Sequence, residues 1–186
     1  MDIFLVRHGE AAASWGQSSD PGLSELGLQQ ALQASHQLES LIPGNVQLLS
    51  SPLARARETA APLAEALDLP VLVDDVFREI PSPVPLPQRQ DWLRQFMRQT
   101  WDEQPDELSQ WRDAASQTLL ALRLPTVVFT HFLVINAIVG RVLDRNETLC
   151  FMPDNASITR LHPVSYTHLT LPTNVSMCRS RWSPYH

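Results

Sequence analysis

Arginine, histidine and glutamate side chains recur where apolar segments of the chain end, and these residue types could do chemistry together. Arg7 and His8 follow the apolar run IFLV, Arg55 follows the second apolar segment, Glu79 the third and His131 the fourth. Arginine presents a planar, permanently charged donor group that suits phosphate oxygens. A neutral imidazole can attack as a nucleophile and form a covalent intermediate. A carboxyl group can protonate a leaving oxygen and later accept a proton from water. This combination points to a phosphoryl group as the target.

Alternating strands and helices are predicted to position these residues. Apolar runs predict strands at 2–7, 46–50, 71–73, 126–130 and 157–161. Helical periodicity predicts helices at 25–41, 89–101, 107–122 and 132–143, and a further helix with Ser51 as N-cap that Pro62 should kink or break. The order predicts an α/β fold, a three-layer α/β/α sandwich with a mostly parallel central sheet. Sites in such sheets gather at the carboxyl ends of strands, where the residues named above lie.

A proline occupies every second position from Pro81 to Pro87. This spacing forbids a helix and predicts an extended, stiff loop over one edge of the domain.

Composition narrows the possible functions. The 186 residues are enough for one domain with a continuous core, and two cysteines, Cys150 and Cys178, are too few for a disulfide scaffold or a thiolate zinc site. All fourteen cationic side chains are arginine, and a net charge of −6 argues against nucleic acid or an anionic membrane as partner. No apolar run approaches the roughly 20 residues that span a bilayer, and the N-terminus shows no leader pattern. We therefore expect a cytoplasmic protein.

The composition changes abruptly at residue 164. All twenty acidic residues precede Pro163, whereas 164–186 carry both tyrosines and no acid. The segment VSYTHLTLPT, residues 164–173, resembles a one-frame translation of the transposon-end adapter used for sequencing libraries. We therefore expect one domain at 1–163, truncated at its C-terminal end near His162, and a non-native or disordered tail at 164–186.

Four ordered motifs carry a family resemblance. They are LVRHGE at 5–10, DPGLS at 20–24, SSPLARA at 50–56 and VVFTH at 127–131. Together they resemble the histidine phosphatase superfamily, in its phosphoglycerate mutase-like branch. The similarity extends over about residues 2–161.

The resemblance implies a role for each candidate residue. His8 would be the nucleophile that becomes phosphohistidine, while Arg7, Arg55 and His131 would hold the phosphoryl oxygens. Glu79 would be the proton donor. The family needs no metal or other cofactor, and the implied partner is a small phosphorylated metabolite. The sequence shows neither which phosphate ester is used nor the oligomeric state.

The resemblance favours a phosphomonoester phosphatase, and two alternatives stay open. One is a phosphoglycerate-type mutase, although such mutases are longer and carry an asparagine where Ser14 or Trp15 stands here. The other is a non-catalytic member that binds a phosphorylated ligand. A comparison of phosphate release with interconversion of 2- and 3-phosphoglycerate distinguishes the phosphatase from the mutase.

Three positions have competing interpretations. Arg57 lies two residues after Arg55 and on a different helix face, so we expect it at the surface. Phe132 replaces the glycine that the family usually has after the second histidine. The family's glycine- and tryptophan-bearing turn is missing after Glu79, and Asp74 or Asp75 could take over the role of acid.

Overall fold

The computed structural model describes residues 2–13, 18, 20–165 and 168–170. Its described strands form one sheet in the order β3-β2-β4-β1-β5-β6. They are β1 (Ile3–Arg7), β2 (Gln47–Ser50), β3 (Val71–Val73), β4 (Thr126–Thr130), β5 (Ile158–Ser165) and β6 (His168–Thr170). Strands β1 to β4 pair in parallel, β5 is antiparallel to β1, and β6 is antiparallel to β5. The central sheet is therefore mostly parallel, as predicted.

Five α-helices accompany this sheet in the described part of the chain. They are α1 (Glu25–Leu41), α2 (Ala54–Leu67), α3 (Arg89–Phe96), α4 (Asp106–Ala121) and α5 (Phe132–Val142). Short 3₁₀ helices at Asp75–Phe77, Leu86–Gln88 and Trp101–Glu103 complete the described helical structure.

The two faces of β1 explain the three layers. Successive side chains of a strand point to opposite faces, and both faces of β1 are buried. Ile3 and Leu5 pack in a cluster with Leu119 of α4 and with Ile135 and Ile138 of α5. Phe4 and Val6 pack in the other cluster, with residues of α1 and α2 that include Leu38, Ala60 and Leu63. Helices thus cover both faces of the sheet, and the predicted α/β/α sandwich is confirmed.

A third apolar cluster joins the proline-rich region to the site. It contains Ile80, Leu93, Phe96, Trp101 and Phe132, all buried. Ile80 and Phe132 come directly after two of the predicted site residues, Glu79 and His131. The packing of this cluster therefore holds the backbone on which both of those residues sit.

The structure corrects the prediction for α2. Its N-cap is Leu53 rather than Ser51, and its first backbone N–H, that of Ala54, donates to the side chain of Asp20 at 2.8 Å. Pro62 does not break the helix, which runs on to Leu67. Ala60 and Leu63, on either side of this proline, are both buried in one core cluster. Their burial favours a continuous helix over the local preference of proline.

The region after the alternating prolines also differs from the prediction. Helix α3 ends at Phe96, and a separate 3₁₀ turn begins at Trp101, whereas the pattern predicts one helix over 89–101. The segment between them and the start of the turn are tied to a distant loop, because the Gln99 carbonyl accepts from Thr148 N–H at 3.1 Å and Trp101 N–H donates to the Asn146 carbonyl at 2.7 Å. Leu86–Gln88 forms a 3₁₀ turn, so the stiff segment is extended only in its first part.

Strand β5 extends to Ser165, two residues past the predicted domain end at 163. Residues 166–167 and 171–186 lie outside the described residues, so the expectation of a non-native tail stays a prediction for them. Within the described residues, no helix has the length and apolar character needed to cross a membrane.

Candidate active site

The candidate site begins at the edge of the sheet where the carboxyl ends of three neighbouring parallel strands lie together. The sheet places β2, β4 and β1 side by side and parallel. Their backbone hydrogen bonds continue one residue past the strands: His8 N–H donates to the Thr130 carbonyl at 3.0 Å, and Ser51 N–H donates to the Phe129 carbonyl at 2.9 Å. His131 directly follows β4. The chain therefore delivers His8, Ser51 and His131 to the same edge.

His8 is a buried, neutral imidazole with a defined tautomer. Its Nδ1 lies 2.7 Å from the Gly9 carbonyl oxygen, which can only accept, so Nδ1 carries the proton. The Nε2 atom accepts a hydrogen bond from Arg55 Nε at 3.2 Å. Burial, followed by the charges of Arg55 and Arg7, lowers the pKa of His8 to about 3. The lone pair of His8 is therefore on Nε2 at neutral pH.

Arg55 is held at the start of α2, with only 6% of its surface exposed. Its carbonyl accepts from Thr59 Oγ1 at 2.6 Å, and Thr59 Oγ1 accepts from Gly9 N–H at 3.0 Å, so the helix and the loop that carries His8 are tied together. The nearest acid, Asp20, lies 3.9 Å from its guanidinium. Arg57 is exposed, as predicted.

Arg7, which directly precedes His8, is fixed by two contacts. Its Nη1 donates to the Pro153 carbonyl at 2.7 Å, and its guanidinium carbon lies 5.1 Å from the centre of the Phe132 ring. Its buried Nε has no hydrogen-bond partner. Phe132, which departs from the family pattern, thus stacks against a predicted phosphate-binding arginine.

His131 is fully buried and faces His8. The two ring centres are 5.2 Å apart at an interplanar angle of 61°. His131 Nε2 lies 2.7 Å from Ser51 Oγ, while its buried Nδ1 has no partner. Burial first, and then nearby positive charge that includes Arg55 and Arg89, hold the pKa of His131 well below its ordinary value. His131 is therefore neutral, and one of its ring nitrogens has no hydrogen-bond partner.

Glu79 is brought to the site by contacts made on both sides of it. Thr130 Oγ1 donates to the Phe77 carbonyl at 2.9 Å, and the Phe77 and Ile80 side chains are buried. Glu79 itself is 5% exposed, and its Oε1 accepts from Ile80 N–H at 3.0 Å. Burial raises the pKa of its carboxyl, against the opposing effects of Arg55, Arg89 and Arg7. A raised pKa suits a proton donor.

The two substitute acids have other contacts. Asp74 accepts from Val76 N–H at 3.0 Å and caps a 3₁₀ helix. Asp75 is exposed and forms an ion pair with Arg78 at 2.9 Å. Of the three acids, only Glu79 is buried among the arginines.

Two residues of this region were not predicted as part of the site. Arg89, at the start of α3, donates from Nη2 to the Ile80 carbonyl at 3.3 Å, and its charge lowers the pKa of Glu79 and of His131. Ser51 was predicted as a helix cap only, but its hydroxyl contacts His131. The motif SSPLARA contained the signal for Ser51, whereas nothing in the spacing of Arg89 marked it. Ser14 and Trp15 lie outside the described residues.

The sequence also identifies the family of the chain. The sequence profile of the histidine phosphatase superfamily (branch 1) matches residues 3–171. The chain belongs to that superfamily. Among the described residues, no cluster of three histidine, cysteine or acidic side chains has the arrangement of a metal site.

Proteins similar to this chain include a probable mutase and two phosphatases. The chain is 30% identical to the probable phosphoglycerate mutase GpmB of Salmonella paratyphi C over 167 residues, 77% of this chain and 75% of the relative. The mycobacterial glucosyl-3-phosphoglycerate phosphatase in complex with inorganic phosphate superposes with a TM-score of 0.72 at 25% identity, covering 94% of this chain and 95% of the other. The phosphoserine phosphatase of Entamoeba histolytica shares the fold, with a TM-score of 0.72, 23% identity, and 92% and 95% coverage.

Proposed function

We propose that this member of the histidine phosphatase superfamily hydrolyses a small phosphomonoester through a phosphohistidine formed on His8. The observation that carries the proposal is the state of His8: buried and neutral, with its proton held by the Gly9 carbonyl and its Nε2 lone pair beside Arg55. A nucleophile in that state needs no general base to take a proton from it. Arg7 and Arg55 supply positive charge next to the reacting nitrogen.

In the first step, the Nε2 lone pair of His8 attacks phosphorus and the bond to the ester oxygen breaks. Arg7, Arg55 and His131 donate hydrogen bonds to the phosphoryl oxygens, whose charge develops during transfer. The leaving alkoxide takes the proton of Glu79, whose pKa is raised by burial. An alcohol and a phosphohistidine enzyme result.

In the second step, water attacks the phosphorus of the phosphohistidine and the N–P bond breaks. The carboxylate of Glu79, left by the first step, accepts a proton from the attacking water. Inorganic phosphate leaves, and His8 returns to its neutral state with the lone pair on Nε2. The atoms and protons balance without a cofactor.

Replacement of His8 tests this function. We expect His8→Ala to lose more than about 10³-fold in kcat for hydrolysis of an aryl phosphate, since the nucleophile is gone. His36→Ala removes an exposed imidazole from α1 and should keep the wild-type rate. Wild-type protein quenched during turnover at alkaline pH should also carry one phosphoryl group on the peptide that contains His8. Hydrolysis by His8→Ala at the wild-type rate contradicts the proposal.

A phosphoglycerate-type mutase is the second candidate, favoured by the identity to probable phosphoglycerate mutases. It uses the same phosphohistidine but returns the phosphoryl group to a substrate hydroxyl rather than to water. Wild-type protein given 3-phosphoglycerate should release inorganic phosphate if it is a phosphatase and form 2-phosphoglycerate if it is a mutase. Binding of vanadate without turnover of either 3-phosphoglycerate or an aryl phosphate would identify a non-catalytic member.

A further inference from the structure

Ser51 makes two hydrogen-bond contacts through one hydroxyl, and together they determine where its proton points. The side chain is fully buried. Its Oγ accepts from Leu53 N–H at 3.3 Å and lies 2.7 Å from His131 Nε2. A serine hydroxyl has one hydrogen to donate and two lone pairs. The direction of the contact with His131 thus depends on whether Ser51 donates or accepts there.

The donating arrangement leaves fewer groups unsatisfied. If His131 Nε2 carried the proton, Ser51 Oγ would accept from both the imidazole and Leu53. Its own hydrogen would then have no acceptor among the contacts of the described residues, and a buried hydroxyl hydrogen without an acceptor is destabilising. If Ser51 instead donates to Nε2, its hydrogen has an acceptor and one of its lone pairs still accepts from Leu53. The proton of His131 then lies on Nδ1.

In that arrangement the Nδ1–H of His131 is a donor without an acceptor. It is fully buried and has no hydrogen-bond partner, in a ring that faces His8 at 5.2 Å. Buried polar groups without partners are rare, and a phosphoryl oxygen needs donors rather than acceptors. An N–H at this position is satisfied when a phosphoryl oxygen enters.

We propose that Ser51 is a positioning residue that holds the single proton of His131 on Nδ1, so that the neutral imidazole presents an N–H to the phosphoryl group. The use of this proton in catalysis rests on the proposed function, but its position on Nδ1 is a property of the free protein. Both facing histidines then carry their proton on Nδ1, but they present different groups to the phosphoryl group. His8 has that proton bound to Gly9 and offers a lone pair, whereas His131 has its lone pair bound to Ser51 and offers a donor.

Nitrogen NMR of the free, ¹⁵N-labelled protein tests the tautomer directly. His131→Gln identifies the signals of His131 by their loss. We expect the wild-type spectrum to show a protonated Nδ1 and an unprotonated Nε2 at His131. A proton on Nε2 in the wild-type spectrum overturns the proposal whether or not the protein is a phosphatase.

Variants of Ser51 test its role in turnover. We expect Ser51→Ala to shift His131 towards the Nε2–H tautomer and to lower kcat for an aryl phosphate by about tenfold to a hundredfold, as loss of an orienting hydrogen bond does. Ser51→Thr keeps the hydroxyl and should restore both readouts. Ser116→Ala removes another buried hydroxyl, one that donates to the Arg112 carbonyl, and should move neither. An unchanged His131 tautomer in folded Ser51→Ala also overturns the proposal.

Discussion

At the scale of single residues, burial and neighbouring positive charge act together on the pKa values of the imidazoles but oppose each other on the pKa of the acid. For His8 and His131, burial and the nearby cations both lower the pKa, so both rings are neutral. For Glu79, burial raises the pKa while Arg55, Arg89 and Arg7 lower it. The arginines thus limit how far the pKa of the proton donor rises. The same cations that would bind phosphate also keep Glu79 able to change its protonation state.

Arg89 is the cation through which this balance can be tested. Arg89→Gln removes a charge that lowers the pKa of Glu79, so the pKa of Glu79 should rise. In the first step Glu79 must be protonated, and kcat/KM should therefore decline as pH rises through its pKa. We expect the basic limb of the kcat/KM profile to move to higher pH in Arg89→Gln.

Two controls accompany the pH profile of Arg89→Gln. Arg57→Gln removes an exposed arginine from α2 and should leave the basic limb where it is in the wild type. Glu79→Gln cannot titrate at this position, and its residual activity should lack the limb altogether. A basic limb that persists in Glu79→Gln, or that moves to lower pH in Arg89→Gln, assigns the proton donor to another group.

At the scale of elements, a contact between two backbones positions the loop that carries His8. A Cβ atom placed on Gly9 would lie 2.5 Å from the Gly27 carbonyl oxygen, and one placed on Gly27 would overlap the Glu10 carbonyl oxygen. Ser24, the N-cap of α1, reinforces this approach because its N–H donates to the Glu10 carbonyl at 2.9 Å. The start of α1 therefore packs directly on the backbone whose Gly9 carbonyl orients His8.

Gly27→Ala should disturb both stability and catalysis. The added methyl group has no room, and overpacking of this kind costs about 1–3 kcal/mol in the free energy of unfolding, more than the better helix propensity of alanine returns. Displacement of Glu10 and Gly9 should also weaken the hydrogen bond of His8 and lower kcat. Urea unfolding and hydrolysis of an aryl phosphate measure the two effects.

Gly44→Ala is the matched control for Gly27→Ala. A Cβ atom at Gly44 would have no neighbour within 4 Å, so its free energy of unfolding should change by less than about 0.5 kcal/mol. Equal stability of the two variants would mean that the close approach of α1 to the loop carries no energetic weight.

The sequence predicts the bounds of an element correctly when local interactions determine them, and incorrectly when contacts between distant segments do. Helix α1 and strands β3 and β4 have the predicted bounds, because a local apolar pattern and the Ser24 cap decide them. The end of α3 and the continuation of α2 past Pro62 depend on packing between distant segments. A local sequence pattern does not predict which distant segments will pack together.

The same distinction holds for the candidate site. His8 and His131 follow their strands directly, so strand ends alone predict that they lie near each other. Glu79 reaches the site through a hydrogen bond between Thr130 and Phe77, 53 positions apart, and Ser51 meets His131 across 80 positions. Only a folded chain shows these contacts. The motif SSPLARA marks Ser51 but not its contact with His131, and nothing in the spacing marks Arg89.

At the scale of the whole molecule, the site makes stability depend on pH. His8 and His131 stay neutral in the folded protein, since their pKa values lie below the ordinary 6.5, at about 3 for His8. In the unfolded chain both titrate near 6.5. Below that pH the unfolded state binds more protons than the folded state, so acid favours unfolding. Glu79 acts in the opposite sense, because its pKa is raised on folding and it contributes stability at low pH that is lost as pH rises.

A difference between variants isolates the histidine contribution from that of Glu79. The free energy of unfolding should fall as pH is lowered from about 6.5 to 4, and each buried histidine adds up to about 1.4 kcal/mol per pH unit to that slope. His8→Asn keeps a side-chain N–H for the Gly9 carbonyl but cannot titrate, so its slope should be smaller than the wild-type slope by about that amount. His36→Asn, on the exposed face of α1, should keep the wild-type slope. Parallel stability curves for His8→Asn and the wild type between pH 6.5 and 4 would show that His8 takes up a proton in the folded protein as readily as in the unfolded chain. Over that pH range, such a histidine would lose the lone pair with which it attacks phosphorus.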